Sequence, residues 1–348
     1  MPLSYCSFAT RFFGAVLMSE WHRSYYSFAR FAFLDALRLC GVERGDSVLM
    51  PSYICRDVLA PVHVLGAKVE FYDVDRQLRP LLQRAGRPIN TSSVRAIMAV
   101  DYFGFPQQLD DLIRLGQTLG APVIEDNAHG YLSRDASGVL LGRRTGIGFT
   151  SFRKTIRVVN GALLDVDASL FPHFSKVIDT PEPDVAPPPL SFHARRAVGA
   201  LERATRLPLL NGSRTAVRLA RRMVGRPVIP VSLESETVMP INPAVSAQSL
   251  ATLHALDDAR ESERRRNLYT VTAQRLRNAE YSLVFDELTT GIVPWCVPFY
   301  ARETELTSAR RALRGLGLEI FRWPDLPDET RNDCPDFYRD VHVVGMMI

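Results

Sequence analysis

Asp126, His129 and Lys154 carry side chains that could share covalent and acid–base chemistry. Asp126 stands where the run VIED (123–126) gives out, at the expected carboxyl end of a parallel strand, where open α/β sheets place their ligands. A carboxylate there can hold a cationic heterocycle such as a protonated pyridine nitrogen, or it can cap the next helix. His129 follows three residues later, on the first turn if a helix begins there. It can donate a hydrogen bond to a ligand oxygen or serve a turn structurally. Lys154 follows the strand-like GFTSF (148–152) at another strand end, where the cost of desolvating an ammonium argues against a fully buried core role. If it points into the crevice of Asp126, it could form a Schiff base with a carbonyl cofactor, with burial and nearby cations depressing its pKa. Otherwise, beside Arg153, it is a surface cation. Thr150 and Ser151 offer hydroxyls to a phosphate, and backbone amides near Ala29 and Arg30 offer a helix N-terminus to the same group. Together these residues match the needs of pyridoxal 5'-phosphate (PLP): a carboxylate for the ring nitrogen, a lysine for the aldehyde, and amides and hydroxyls for the phosphate.

The elements that must position these residues alternate two hydrophobic periods. Helical spacing is expected over 30–42, 55–67 and 109–119, and short apolar strands over 47–54, 68–75, 96–104 and 122–126, followed by GFTSF and GALLDVD (161–167). Strands buried on both faces and separated by helices predict a mostly parallel central sheet flanked by helices. Five prolines between Pro181 and Pro189 interrupt regular structure, and an arginine-rich helical stretch follows over 193–226. That stretch reads as a solvated basic face or as a weak contact with anionic membrane. One long amphipathic helix is expected from Ser246 to about Leu276. Beyond it, IVPWCVPFYA, a helix over 303–316 and LEIFRW predict a small α+β unit. The expected division is a large domain over 1–235, with 177–235 as its Pro-rich and Arg-rich part, and a small domain over 236–348.

Composition narrows the field. The chain of 348 residues is 46% hydrophobic and 23% charged, an ordinary globular balance with no apolar run long enough to cross a membrane. A net charge of +4 gives no argument for nucleic acid. Five cysteines without a CxxC pair predict neither a disulfide framework nor a structural metal site, and they fit a reducing cytoplasm. The first twenty residues are mildly signal-like, but Arg11 breaks the apolar run, so they are expected to belong to the folded protein. GxGxxG in a strand-to-helix context, the P-loop, HExxH and GxSxG are all absent.

The stretch 41–75 (GVERGDSVLMPSYICRDVLAPVHVLGAKVEFYDVD) resembles the DegT/StrS family of nucleotide-sugar aminotransferases, which have PLP fold type I. So do VDYFGFPQQLDDLIRLGQTLGAPVIEDNAHG (100–130) and SFRKTIRVVNGALL (151–164), where Lys154 precedes Gly161 by the family's seven residues. The resemblance implies that Asp126 meets the pyridine nitrogen, His129 the phenolic oxygen, and Lys154 the aldehyde. It assigns Ser151 to the phosphate, although the segment before Lys154 is two residues shorter than usual. The family's Ser-Gly-Thr phosphate loop reads Phe28-Ala29-Arg30, and its aromatic stacking position reads Cys55, with Tyr53 two residues earlier. The acid and the second glycine of its Glu-Gly-Gly turn read Asn160 and Ala162. Asn242 in INPAVS matches a motif that reaches the partner subunit's phosphate.

The implied protein is a homodimeric PLP-dependent aminotransferase. It moves an amino group, with glutamate as donor, to a nucleotide-linked keto sugar in glycan biosynthesis. Two rivals stand beside it. One is another PLP reaction such as dehydration, whose family members typically carry histidine in place of the lysine. The other is a cofactor-free scaffold in a polysaccharide-assembly complex, which the altered phosphate loop would suit.

Overall fold

The short apolar runs of the first half become strands because both of their faces are covered. The computed structural model describes residues 20–190, 192–194, 197–198 and 233–346. Strands β1 (Trp21–Tyr26), β2 (Ser47–Pro51), β3 (Lys68–Val74) and β4 (Pro80–Leu81) join one sheet, while β5 (Gln83–Arg84) and β6 (Arg87–Pro88) form a small hairpin. The sheet continues through β7 (Val94–Val100), β8 (Val123–Asn127), β9 (Ile147–Thr150) and β10 (Ala162–Asp167). Its order is β1-β10-β9-β8-β7-β2-β3-β4. The run β9-β8-β7-β2-β3 is parallel, and β10, β1 and β4 add antiparallel edges. Every residue of β2, β8 and β9 is buried, as expected of strands sandwiched between layers.

Helix α1 (Ala29–Leu39) lays Phe33, Ala36 and Leu37 on the sheet, with Phe33 5.2 Å from the ring of Phe149. β1 is antiparallel to β10 and β10 to β9, so β1 runs in the direction of β9. The start of α1 therefore falls at the same sheet edge as the ends of β8 and β9. The stretch 55–67 is not one helix. A 3-10 turn over Arg56–Leu59 leads into the short α2 (Ala60–Val64), since Pro61 has no N–H and is tolerated only at a helix start. Helix α3 (Asp110–Leu119) opens on two acids and stops at Gly120, whose φ of 67° continues no helix.

The expected long helix from Ser246 is two helices, Ala247–His254 and Asp258–Asn278. Asp257 separates them because its carboxylate caps the second, accepting from the backbone N–H of Arg260 at 3.0 Å. After it come β11 (Cys296–Tyr300), β12 (Ile320–Arg322) and β13 (Val341–Gly345), an antiparallel sheet in the order β11-β13-β12. One buried apolar cluster runs from Tyr26 and Val48 through Tyr269 to Val344 and joins the two sheets. The prolines of 181–189 lie outside regular elements. Most of the arginine-rich stretch 193–226, and the N-terminal residues 1–19, lie outside the described residues.

Candidate active site

Strand β8 delivers two adjacent carboxylates to opposite faces, and their fates differ. Glu125 is fully buried and neutralised by Arg144, whose Nε donates to it at 2.6 Å while Nη2 donates to Asp101 at 2.6 Å. Asp126, 7% exposed, makes no ion pair among the described residues, and its Oδ1 accepts the backbone N–H of Ala128 at 2.9 Å. Burial pushes its pKa up to about 6 against the pull of Lys154. No helix begins here. The chain turns instead, so Asp126 caps a turn and the helix-cap alternative falls away.

That turn presents His129. The Phe103 backbone N–H donates to Nδ1 at 3.2 Å, so the neutral ring carries its proton on Nε2. Nε2 stands 3.0 Å from the Lys154 amine. The imidazole lies parallel to Trp295, with centroids 4.4 Å apart, and edge-on to Trp323 at 4.9 Å. In this apolar setting burial and the lysine hold His129 well below the usual histidine range. Burial likewise lowers the pKa of Lys154. An N–H aimed at nitrogen needs a lone pair, so the geometry fits a neutral amine at Lys154, the nucleophilic form. Lys154 Nζ also stands 5.6 Å from the centroid of Trp295.

A 3-10 turn over Phe152–Lys154 continues β9 and places the lysine. Gly161 makes that turn possible. Its φ is +151°, and a Cβ there would come within 2.0 Å of the Phe152 ring. Asn160 anchors the following helix, its Oδ1 accepting from the backbone N–H of Ser246 at 2.9 Å. Arg265 of the long helix closes the turn from outside. It is fully buried and paired with Glu261, and it donates to the carbonyls of Thr155, Pro294 and Trp295. Thr150 is spent on structure, its Oγ1 accepting from Asn127 Nδ2 at 3.1 Å. Ser151, 1% exposed, has a buried hydroxyl without a partner.

The structure thus brings Asp126, His129, Lys154 and Ser151 to one sheet edge. Ala29 and Arg30 open α1 at that edge behind Phe28, which caps the helix with no side-chain bond. Two further residues assigned by resemblance have their polar groups engaged within the protein. Tyr53 is wholly buried; its hydroxyl donates to the Trp323 carbonyl at 2.5 Å and its ring packs on Tyr338 and Tyr102. Cys55 lies closer in electrostatic terms, within the field of Lys154. Asn242 spends its side chain on Asp184 and the Ala244 N–H, and its carbonyl accepts from Ser27 Oγ. Sequence reasoning missed Trp295, Trp323 and Arg265. In ESERRRN, Arg265 is indistinguishable from its solvated neighbours.

The residues present fit PLP. Asp126 has no ion-pair partner among the described residues, burial disfavours the charge on Lys154, His129 offers an N–H, and Ser151 holds an unused hydroxyl. Residues 29–162 match the model of the DegT/DnrJ/EryC1/StrS aminotransferase family. The whole chain is similar in structure to 3-amino-5-hydroxybenzoic acid synthase, at TM-score 0.60 and 17% identity, covering 93% of this chain and 80% of that one. An Escherichia coli GDP-4-keto-6-deoxy-D-mannose-3-dehydratase with bound hydrated PLP is similar at TM-score 0.60 and 14% identity, with coverage of 94% and 84%. A Helicobacter pylori aminotransferase involved in the biosynthesis of pseudoaminic acid is similar at TM-score 0.59 and 12% identity, with coverage of 93% and 81%. At these identities the likeness carries the fold.

Proposed function

We propose a reaction for this chain, whose residues 29–162 match the DegT/DnrJ/EryC1/StrS aminotransferase family: PLP-dependent transfer of an amino group, from glutamate, to a nucleotide-linked keto sugar. The observation that carries this reading is the Lys154 amine, facing the Nε2–H of His129 beside the unpaired carboxyl of Asp126. When bound, PLP supplies an electron sink for breaking and making bonds at the amine-bearing carbon. Asp126, ionised next to a pyridinium, keeps that ring protonated through a charge-assisted hydrogen bond. His129 donates from Nε2 to the phenolic oxygen. Lys154 would hold the aldehyde carbon and, as a free neutral amine, would carry a proton from the donor carbon as a general base. Ser151 contributes its free hydroxyl to the phosphate. Trp295 and Trp323 exclude water from the amine.

Borohydride reduction followed by peptide mapping tests the assignment. A pyridoxyl group on Lys154 supports it, and labelling at another lysine overturns it. A screen of keto sugar nucleotides with glutamate tests the reaction. Loss of a hydroxyl instead of gain of an amine would mark a dehydratase, and absence of both label and visible absorbance would mark the cofactor-free scaffold.

Several finer readings belong here. A division at 235/236 is supported by the β11-β13-β12 sheet, which lies wholly in 236–348. A homodimer is supported by Val185, Leu190 and Ile241, large apolar side chains left almost fully exposed in neighbouring segments. Cytoplasmic residence is supported by the free thiols of Cys40, Cys55, Cys296 and Cys334. No helix among the described residues is long and apolar enough to cross a membrane. Weak peripheral contact through 193–226 is tested by cosedimentation with anionic vesicles at low and high salt.

A further inference from the structure

Two guanidinium groups share one corner of the site, each close to the ring of Phe28. The Cζ of Arg153 stands 5.0 Å and that of Arg30 5.8 Å from the centroid of the Phe28 ring. Neither arginine forms an ion pair among the described residues. Arg153 Nε is buried and without a hydrogen-bond partner, as is the Oγ of Ser151, two positions back in the same turn. Arg30 is the second residue of α1, a helix with no acid in its first turn and no side chain on its N-terminal N–H groups. The backbone laces these pieces together: Arg153 N–H donates to the Gly161 carbonyl, and Gly161 N–H donates to that of Ser27. Burial and the neighbouring Arg30 both disfavour the charge on Arg153, and Asp57, the acid that opposes them, forms no ion pair among the described residues. A desolvated guanidinium near a second cation, with hydroxyl and amide donors beside it, is a costly arrangement unless an anion completes it.

We infer that Arg153 and Arg30, with Ser151 and the first N–H groups of α1, form the cradle for the cofactor's phosphate. A dianion placed there pairs with both arginines, satisfies the orphaned Nε and the Ser151 hydroxyl, and faces the positive end of α1. The cradle replaces side-chain hydroxyls by guanidinium at the helix start, where this chain reads Phe28-Ala29-Arg30. The identity of the anion rests on the PLP reading above. The existence of an anion site does not.

The test compares cofactor-free protein with its Arg153→Met, Arg153→Lys and Arg30→Met variants, titrated with PLP and with pyridoxal, which lacks the phosphate. Each Met substitution is expected to weaken PLP about 10- to 100-fold, as loss of one charged hydrogen-bond donor implies, while leaving pyridoxal within about twofold. Arg153→Lys should fall between. In parallel, inorganic phosphate should raise the melting temperature of the wild type and not of the double Met variant. Equal weakening of PLP and pyridoxal would make Arg153 a structural residue, and unchanged PLP affinity in the double variant would place the phosphate elsewhere; either overturns the inference. If the wild type binds neither PLP nor pyridoxal, the functional reading fails while the phosphate melting shift still decides the anion site.

Discussion

Asp126 is held in a state that costs the fold and suits the proposed ligand. Its folded-state pKa of about 6 lies above that of a solvated carboxyl, so ionisation weakens the cofactor-free protein. The penalty is absent below about pH 4, grows as pH rises toward 6 and is complete above it, where the shift corresponds to about 3 kcal/mol. Asp126→Asn keeps the Oδ1 that accepts from Ala128 and removes the charge. Cofactor-free Asp126→Asn is therefore expected to be more stable than the wild type at pH 8 and equal to it near pH 4, by urea denaturation. Its turnover should fall by orders of magnitude. Lower stability at pH 8 would make Asp126 a structural residue. Lys154→Ala should abolish transfer while preserving the fold, as read by turnover and circular dichroism. Much of this site was legible in sequence, because Asp126 and Lys154 sit where apolar strands end. The choice of Ser151 over Thr150 was less so, since it depends on the Asn127 amide arriving from another strand.

The turn that carries Lys154 depends on two contacts made by distant elements. Gly161→Ala would drive a methyl into the Phe152 ring from a backbone angle that alanine rarely adopts. The expected result is loss of borohydride labelling at Lys154 out of proportion to the change in melting temperature. Arg265→Met would leave Glu261 to Arg264 alone and take a donor from three carbonyls, costing about 1–3 kcal/mol by chemical denaturation. The inner strands were readable because burial on both faces writes continuous apolar runs. Strand β1, WHRSYY, was not, since a half-exposed edge strand mixes polar and aromatic residues. The split of the 246–276 helix turns on one side chain, Asp257, whose capping role competes with an otherwise unbroken helical pattern.

Across the whole molecule, the residues proposed for the chemistry and those that surround them come from different parts of the chain. Arg30, Asp126, His129, Ser151 and Lys154 lie within the first half, while Trp295 and Trp323 arrive from the region that also forms the small sheet. Trp295→Ala should therefore uncover one face of His129, shifting KM among keto sugar nucleotides while leaving borohydride labelling at Lys154 intact. Lost labelling would make Trp295 part of the cofactor site. Sedimentation should give a dimer that Ile241→Glu weakens, and a monomeric wild type would remove the paired-subunit reading. This separation has a consequence for descent. Asn127 alone is bonded to Gly130, Leu141 and Thr150, so the segment bearing the chemistry can change only through compensated, simultaneous substitutions. The tryptophan walls are held through their backbone carbonyls by Arg265 and Tyr53, so their side chains can change while those bonds stay. A lineage built this way can change what surrounds its site by mutation in one half of its gene while the other half stays fixed.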